Sequence, residues 1–165
     1  MASCKSVDSS HRVSSIWEVF QELELAGEGT YGITYKAAPK DKLGQVVALK
    51  CISKKSPPGI NLPRFKIAQN FDTEVELLRE CDHPYIVKLL DTFEDDQFFV
   101  LVMEWLAGGQ LFQRIVALDH FSELAASLVV SRMVSAVRYL HYKDIAHLDL
   151  VSETWKLEVI SDLEA

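Results

Sequence analysis

The feature that most constrains this chain is a glycine string, Gly27-Glu28-Gly29-Thr30-Tyr31-Gly32, set among strand-like segments. Leu23 and Leu25 alternate with glutamates before it, and residues 33–38 and 46–52 follow it as two further strand-like runs. A dinucleotide-binding fold would instead continue from the last glycine into a helix, whose N-terminus holds the phosphates. The pattern therefore favours a glycine-rich hairpin, whose backbone can lie close over phosphate groups because it carries no side chains there.

Composition limits the chain to ordinary globular proteins. It has 165 residues, of which 48% are hydrophobic and 25% charged, and a formal net charge of -7. A chain of this length can bury a core without disulfides, and its acidic balance disfavours nucleic acid as a partner. The cysteines Cys4, Cys51 and Cys81 are too far apart in sequence to suggest a zinc site. The longest apolar run, Phe98 to Met103, is too short to cross a membrane, and with no targeting segment recognised we expect a cytoplasmic or nuclear protein.

The first two thirds of the chain predict five strands and one helix. Residues 1–15 are rich in serine and predict a disordered leader. A helix is expected from about Asn70 through Cys81, since Phe71, Val75 and Leu78 recur on one helical face. Two apolar runs follow and predict an antiparallel hairpin. They are Val87 to Phe93 and Phe98 to Trp105.

After Gly108-Gly109 the hydrophobic period becomes helical. It predicts a short helix from Gln110 and a long helix from Ser122 to about Tyr142. The long helix is apolar over most of its circumference, so we expect it to need neighbours on several sides.

The residues after the glycine string give the chain a specific resemblance. Val47-Ala48-Leu49-Lys50 places a lysine eighteen positions past Gly32, at the end of a predicted strand. With this motif the sequence resembles a eukaryotic protein kinase. Further matching positions follow in the same order. They are Glu74, His83 to Val87, Leu101 to Glu104, Gly108 to Phe112, and Tyr139 to His141.

The resemblance implies an α+β fold. Its small lobe, about residues 16–106, would hold a five-stranded antiparallel sheet and one helix. Residues 107–150 would begin an incomplete, helical larger lobe. The implied reaction is transfer of the ATP γ-phosphate to a Ser or Thr hydroxyl of a protein substrate, with Mg²⁺ as the usual metal.

The same resemblance assigns roles to individual residues. Lys50 would contact the α- and β-phosphates of ATP and be held by an ion pair to Glu74. Solvent-exposed side chains are the alternative for both residues, and Glu76 and Glu80 compete with Glu74 for the pairing. The implied nucleotide contacts also include a set of hairpin, strand and connecting residues. That set is Ala26, Gly27, Glu28, Gly29, Thr30, Tyr31, Gly32, Ile33, Thr34, Ala48, Lys50, Met103, Glu104 and Leu106.

Asp149 matches the family carboxylate that accepts the substrate hydroxyl proton, so the resemblance makes it the third catalytic residue beside Lys50 and Glu74. The surrounding segment, Ala146 to Leu150, is similar to the myosin-light-chain and death-associated kinase branch of the calmodulin-dependent group. In that branch the position of Leu148 is often not arginine.

The match ends after Leu150. Val151 stands where the family has a lysine, Thr154 stands where it has a magnesium-binding asparagine, and a DFG motif is missing from the sequence. We therefore predict no metal ligand, a divergent tail over residues 151–165, and weakened catalysis. The rival interpretation is a non-catalytic fragment that binds a partner or competes with an intact kinase, with self-association through the long helix as one form.

Overall fold

The computed structural model describes residues 10–29, 32–42, 44–56, 59 and 61–147 of the protein. The chain divides into two compact units. The first consists of the chain up to Glu80 together with Val87–Trp105, and the second consists of Cys81–Ile86 together with the chain from Leu106 onward.

A six-stranded sheet forms the first unit. Its strands are β1 (His11–Arg12), β2 (Phe20–Gly29), β3 (Gly32–Pro39), β4 (Val47–Ser53), β5 (Leu89–Glu94) and β6 (Phe98–Glu104). They lie in the order β1-β5-β6-β4-β3-β2. All neighbours in β2 to β6 are antiparallel, as predicted for a five-stranded sheet, and the two-residue β1 adds a parallel edge strand beside β5.

Strand β4 is central, and its side chains alternate between the two faces of the sheet. Val47, Leu49 and Cys51 point to one face, where they are 0–1% exposed and pack with the aliphatic side chains of β6. Ala48 and Ile52 belong to the opposite face. The near-continuous apolar character of β4 in the sequence follows from this burial on both sides.

Helix α2 (Arg64–Glu80) packs on the face that carries Ile52. The predicted start at Asn70 is wrong by six residues. The carbonyl of Pro63 accepts hydrogen bonds from the backbone N–H of Lys66 and Ile67, so the helix begins directly after the proline. Ile67 then extends the buried spacing of Phe71 and Val75 by one more turn.

The prediction of a disordered leader over residues 1–15 is also wrong for residues 10–15; residues 1–9 lie outside the described part of the chain. We call Ser10–Val19 the brace. It contains β1 and the short helix α1 (Ile16–Val19), which Ser15 caps by accepting a hydrogen bond from the Trp17 backbone N–H. Ile16 is fully buried against the face of the sheet that carries Leu49. Tertiary packing therefore orders a segment whose own composition is polar.

Asp95, in the turn between β5 and β6, fastens the brace to the sheet. One carboxylate oxygen accepts a hydrogen bond from the backbone N–H of Ile16 at 3.2 Å, and the other accepts from the N–H groups of Gln97 and Phe98, each at 2.8 Å. The ammonium group of Lys54 donates to the Asp95 carbonyl and to Glu94. A buried carboxylate is tolerated here because its oxygens are hydrogen-bonded.

The second unit is helical. It contains α3 (Leu111–Leu118) and α4 (Glu123–Tyr142), as the helical period predicts, and Ser122 caps α4 by accepting from the Ala125 N–H. Leu111, Ala125 and Val129 form its small core. Several large apolar side chains of these helices are exposed to solvent. They are Phe112, Val116, Leu124, Leu128, Val130 and Val134.

None of the helices in the described part of the chain combines the length and the apolar character that a bilayer-crossing helix needs.

Candidate functional site

An ion pair between β4 and α2 is the chemical centre of the first unit. The Nζ atom of Lys50 lies 2.6 Å from Oε1 of Glu74, and the two side chains are 37% and 35% exposed. Glu74 follows Phe71 by three residues and Ile67 by seven, so it projects from the face of α2 that packs on the sheet. Glu76 and Glu80 are exposed on the same helix. The helical period therefore selects Glu74, among these three glutamates, to meet the lysine.

The register of the sheet gathers several predicted nucleotide contacts on the same face as Lys50. Lys50 pairs with Thr34 on β3, and Ala48 pairs with Met103 on β6. Cross-strand partners point to the same face of a sheet, so these four side chains share one surface. Ile33 pairs with Cys51 and Glu104 pairs with Val47, so these two predicted contacts belong to the opposite face. Ala26 lies in the irregular step of β2 between Leu25 and Gly27.

The three glycines of the string serve different purposes. A Cβ atom on Gly32 would lie 2.3 Å from the carbonyl oxygen of Cys51, so the fold itself requires glycine there. A Cβ on Gly27 would meet no heavy atom of the described residues within 4 Å, and one on Gly29 would meet only the Gly32 carbonyl oxygen, at 3.8 Å. The left-handed φ values among the described glycines belong to Gly44, Gly59 and Gly109. Among the described residues, neither packing nor a left-handed backbone conformation requires glycine at positions 27 and 29.

A pocket of about 230 Å³ opens beside the ion pair, between β4 and the first half of α2. Lys50 and Glu74 form its charged side, and apolar side chains form most of the rest. The other lining residues are Ile52, Ser53, Leu62, Ile67, Asn70 and Phe71. The residues of the apolar wall of this pocket were not predicted from the sequence. The spacing of four from Ile67 to Phe71 to Val75 could have revealed it.

Cys51 on β4 is a buried core residue. Burial first, and the nearby charges of Asp95 and Glu22 second, raise the pKa of the Cys51 thiol to about 12. The thiol is therefore neutral at physiological pH and is a poor nucleophile. Cys51 belongs to the core on the face opposite Lys50.

Three predicted site residues, Thr30, Tyr31 and Asp149, lie outside the described residues. Leu106 belongs to the second unit, whereas Lys50, Glu74, Ala48, Met103 and Glu104 belong to the first. No group of three or more His, Cys, Asp or Glu side chains within the described ranges could hold a metal ion.

Residues 20–153 match the family model described as a protein kinase domain. The chain is 38% identical over 133 residues to calcium-dependent protein kinase 3 of Plasmodium yoelii yoelii, an alignment that covers 80% of this chain and 23% of that protein. It is 34% identical over 149 residues to calcium/calmodulin-dependent protein kinase type 1 of Caenorhabditis briggsae, covering 90% of this chain and 40% of that protein. The chain thus spans less than half the length of these curated relatives.

A solved structure has the same fold. The crystal structure of Rad53 residues 1–466 in complex with AMP-PNP superimposes with a TM-score of 0.74 and 28% sequence identity, and covers 89% of this chain and 36% of that one. The predicted α+β kinase-like fold and the predicted similarity to serine/threonine kinases of the calmodulin-dependent group are both confirmed.

Proposed function

Because the chain belongs to the protein kinase family, we propose that it binds ATP over the Lys50–Glu74 ion pair, beneath the hairpin of β2 and β3. Residues 16–106 act as the nucleotide-binding small lobe, and residues 107–150 begin the larger lobe. The inherited reaction is transfer of the γ-phosphate to a Ser or Thr hydroxyl of a protein, in the cytoplasm or nucleus.

The contact between Lys50 Nζ and Glu74 Oε1, at 2.6 Å, is the observation that carries this proposal. Lysine has a long, flexible side chain, and a fixed carboxylate restricts where its ammonium group can point. Since the lysine side chain is 37% exposed, the ammonium is accessible to the phosphates of a ligand while it stays paired. The clearance beside Gly27 and Gly29 supports the same conclusion, because a phosphate chain needs close approach of the backbone there.

We propose that this chain catalyses phosphoryl transfer only slowly. The reaction depends on positioning and on neutralisation of the phosphate charge, which the family achieves with metal ions. Thr154 occupies the position of the metal-binding asparagine and Val151 that of the lysine, so two groups that assist the family reaction are replaced in the sequence. Asp149 remains as the candidate base for the substrate hydroxyl.

A thermal unfolding experiment tests the binding step. ATP at a tenfold excess over its Kd adds about 1.4 kcal/mol to the free energy of unfolding, which raises Tm by about 3 to 6 °C for a domain of this size. We expect this rise for the wild-type chain and for Glu76→Gln, and its loss in Lys50→Met and Glu74→Gln. Glu76→Gln is the matched control because that residue is exposed on the same helix, two positions away. An equal rise in all four proteins contradicts the proposed site.

A second candidate function is that of a non-catalytic partner of another protein chain. The exposed side chains of Phe112 and Val116 on α3, and of Leu124, Val130 and Val134 on α4, favour it. Exposed apolar residues of adjacent helices commonly mark a protein interface. Light scattering on the full chain tests the form in which the partner is a second copy. Association that is weakened by Val134→Asp and unaffected by saturating ATP supports this function, and a monomer at all concentrations contradicts that form.

A further inference from the structure

We propose that the side chain of Glu104 is a positioning group for adenine recognition, because it fixes the backbone that follows β6. The inference rests on the proposed function and on the kinase resemblance, which implies that the backbone carbonyl of Glu104 contacts the nucleotide; we place this contact as a hydrogen bond accepted from the 6-amino group of adenine. The inference adds a role for the Glu104 carboxylate, to which the proposed function assigns none.

Glu104 holds a single residue, Lys88, by two hydrogen bonds. The backbone N–H of Glu104 donates to the carbonyl of Lys88 at 3.1 Å. The backbone N–H of Lys88 donates to Oε1 of Glu104 at 2.8 Å. The two bonds close a ring that includes the main chain of both residues. A carboxylate acceptor makes the second bond charge-assisted, and therefore shorter and stronger than a bond between neutral groups.

The ring lies where the sheet stops giving regular support. Met103 is paired on both sides, with Ala48 of β4 and Leu89 of β5. Glu104 is paired with Val47 on one side, while β5 begins only at Leu89 on the other. On this second side the contacts are the backbone bond from Glu104 to the Lys88 carbonyl and the bond from the Lys88 N–H to the Glu104 carboxylate. The carboxylate thus adds a second restraint on the backbone one residue beyond the end of the β5–β6 ladder.

The residue after Glu104 is restrained as well. The Nζ atom of Lys36 lies 5.3 Å from the centroid of the Trp105 ring, and the same ammonium lies 3.6 Å from Oε2 of Glu24. Both residues that flank this peptide bond therefore have contacts, Glu104 with Lys88 and Trp105 with Lys36. The peptide contains the carbonyl that the resemblance directs to adenine.

Two nucleotides separate a positioning role from a general effect on folding. Inosine triphosphate has an oxygen in place of the 6-amino group, so it cannot donate to the Glu104 carbonyl. Loss of the positioning carboxylate should weaken ATP binding and leave inosine triphosphate binding unchanged. A variant that merely loosened the fold would weaken both nucleotides by the same factor.

The experiment measures the Kd of both nucleotides by titration calorimetry with the full chain and three variants. We expect Glu104→Ala to weaken ATP binding about threefold to tenfold, in keeping with the loss of one hydrogen bond. Glu104→Gln keeps an oxygen acceptor and should lose less. Lys88→Ala is the matched control, because Lys88 contacts Glu104 only through its main chain. This variant should bind both nucleotides as the wild type does.

The outcomes distinguish failure of the positioning role of Glu104 from failure of the proposed ATP binding. If wild-type protein binds ATP and Glu104→Ala binds it equally well, or loses both nucleotides by the same factor, the positioning role is wrong and the proposed function stands. If wild-type protein does not bind ATP, the proposed function fails, and this inference fails with it.

Discussion

The two faces of the central sheet are built from alternate residues of the same strand, yet they have different chemistry. On one face Val47, Leu49 and Cys51 are buried beneath the brace and the start of β2. On the other face lie Ala48 and Lys50. Lys50 forms the ion pair with Glu74, and an open pocket lies beside that pair. The first face is closed and apolar, whereas the second combines an apolar core beneath α2 with an exposed ion pair and an open pocket.

This difference separates stability from binding at the level of single positions. Side chains of the closed face are fully removed from water, so truncating them leaves a cavity. Lys50 and Glu74 are each more than one third exposed, so their mutual attraction is screened by solvent and adds little to folding. We therefore expect substitutions at neighbouring positions of β4 to differ: on the closed face they should lower the free energy of unfolding, and at Lys50 they should weaken ATP binding.

The largest effect should come from Leu49→Ala. Leu49 is fully buried, and removing its side chain should lower the free energy of unfolding by about 2–5 kcal/mol. Chemical denaturation measures this loss directly. The matched control is Leu23→Ala, since Leu23 is 47% exposed on β2 and should change stability by less than about 0.5 kcal/mol. Similar losses at the two positions would refute the assignment of Leu49 to a closed face.

The glycines extend the comparison to the hairpin. Gly32→Ala should destabilise the fold by about 1–3 kcal/mol, because the new methyl group would collide with the carbonyl of Cys51. Gly27→Ala has open space at its Cβ position among the described residues, so Tm should be unchanged or slightly higher. In exchange, Gly27→Ala should bind ATP more weakly. Paired thermal melts and ATP titrations decide the point, and a stable Gly32→Ala protein would contradict it.

Lys50→Met should show the reverse of Leu49→Ala. Breaking an ion pair this exposed should lower the free energy of unfolding by less than about 1 kcal/mol. ATP binding, by contrast, should be lost. The measurement is a urea melt without nucleotide together with an ATP titration. A loss of stability as large as that of Leu49→Ala would mean that Lys50 serves the fold.

The smallest effect concerns the chemistry of the closed face. Burial, with Asp95 and Glu22 nearby, raises the pKa of the Cys51 thiol to about 12 from the ordinary value of 9.0. We expect iodoacetamide at pH 8 to label Cys51 far more slowly in the folded protein than in urea. The folded chain keeps the thiol proton between pH 9 and 12 while the unfolded chain releases it, so stability should fall as pH rises through that window. Rapid labelling of Cys51 in the native protein would show that this face opens readily.

Residues with a local pattern could be predicted from the sequence. The glycine string and the run ending at Lys50 carried the resemblance that implied an ion pair between Lys50 and Glu74, and the structure contains that contact. The role of Glu104 toward Lys88 could not be predicted in this way. It depends on where β5 begins relative to the end of β6, which is a property of the folded sheet.

Segments that are ordered by distant contacts were missed. Residues 10–15 have few apolar side chains, and their order depends on Ile16 entering the core and on Asp95, 79 positions further along the chain. The start of α2 was predicted too late because Asn70 has a strong local preference for the helix cap, whereas the burial of Ile67 continues the helix one turn earlier. In both cases the tertiary contacts outweighed the local preference.

Because of the brace, the residue at which family similarity begins differs from the residue at which the contacts of the folded unit begin. Similarity to the family begins at Phe20, but among the described residues Ser10 already donates a hydrogen bond to Thr92 of the sheet, and Ile16 is already part of the buried core. A chain cut where the similarity begins would lose Ile16, leave the Asp95 carboxylate without one of its donors, and uncover the outer edge of β5. Exposed strand edges promote pairing between molecules. For this protein, the segment that matches the family model is shorter than the segment whose contacts complete the first unit.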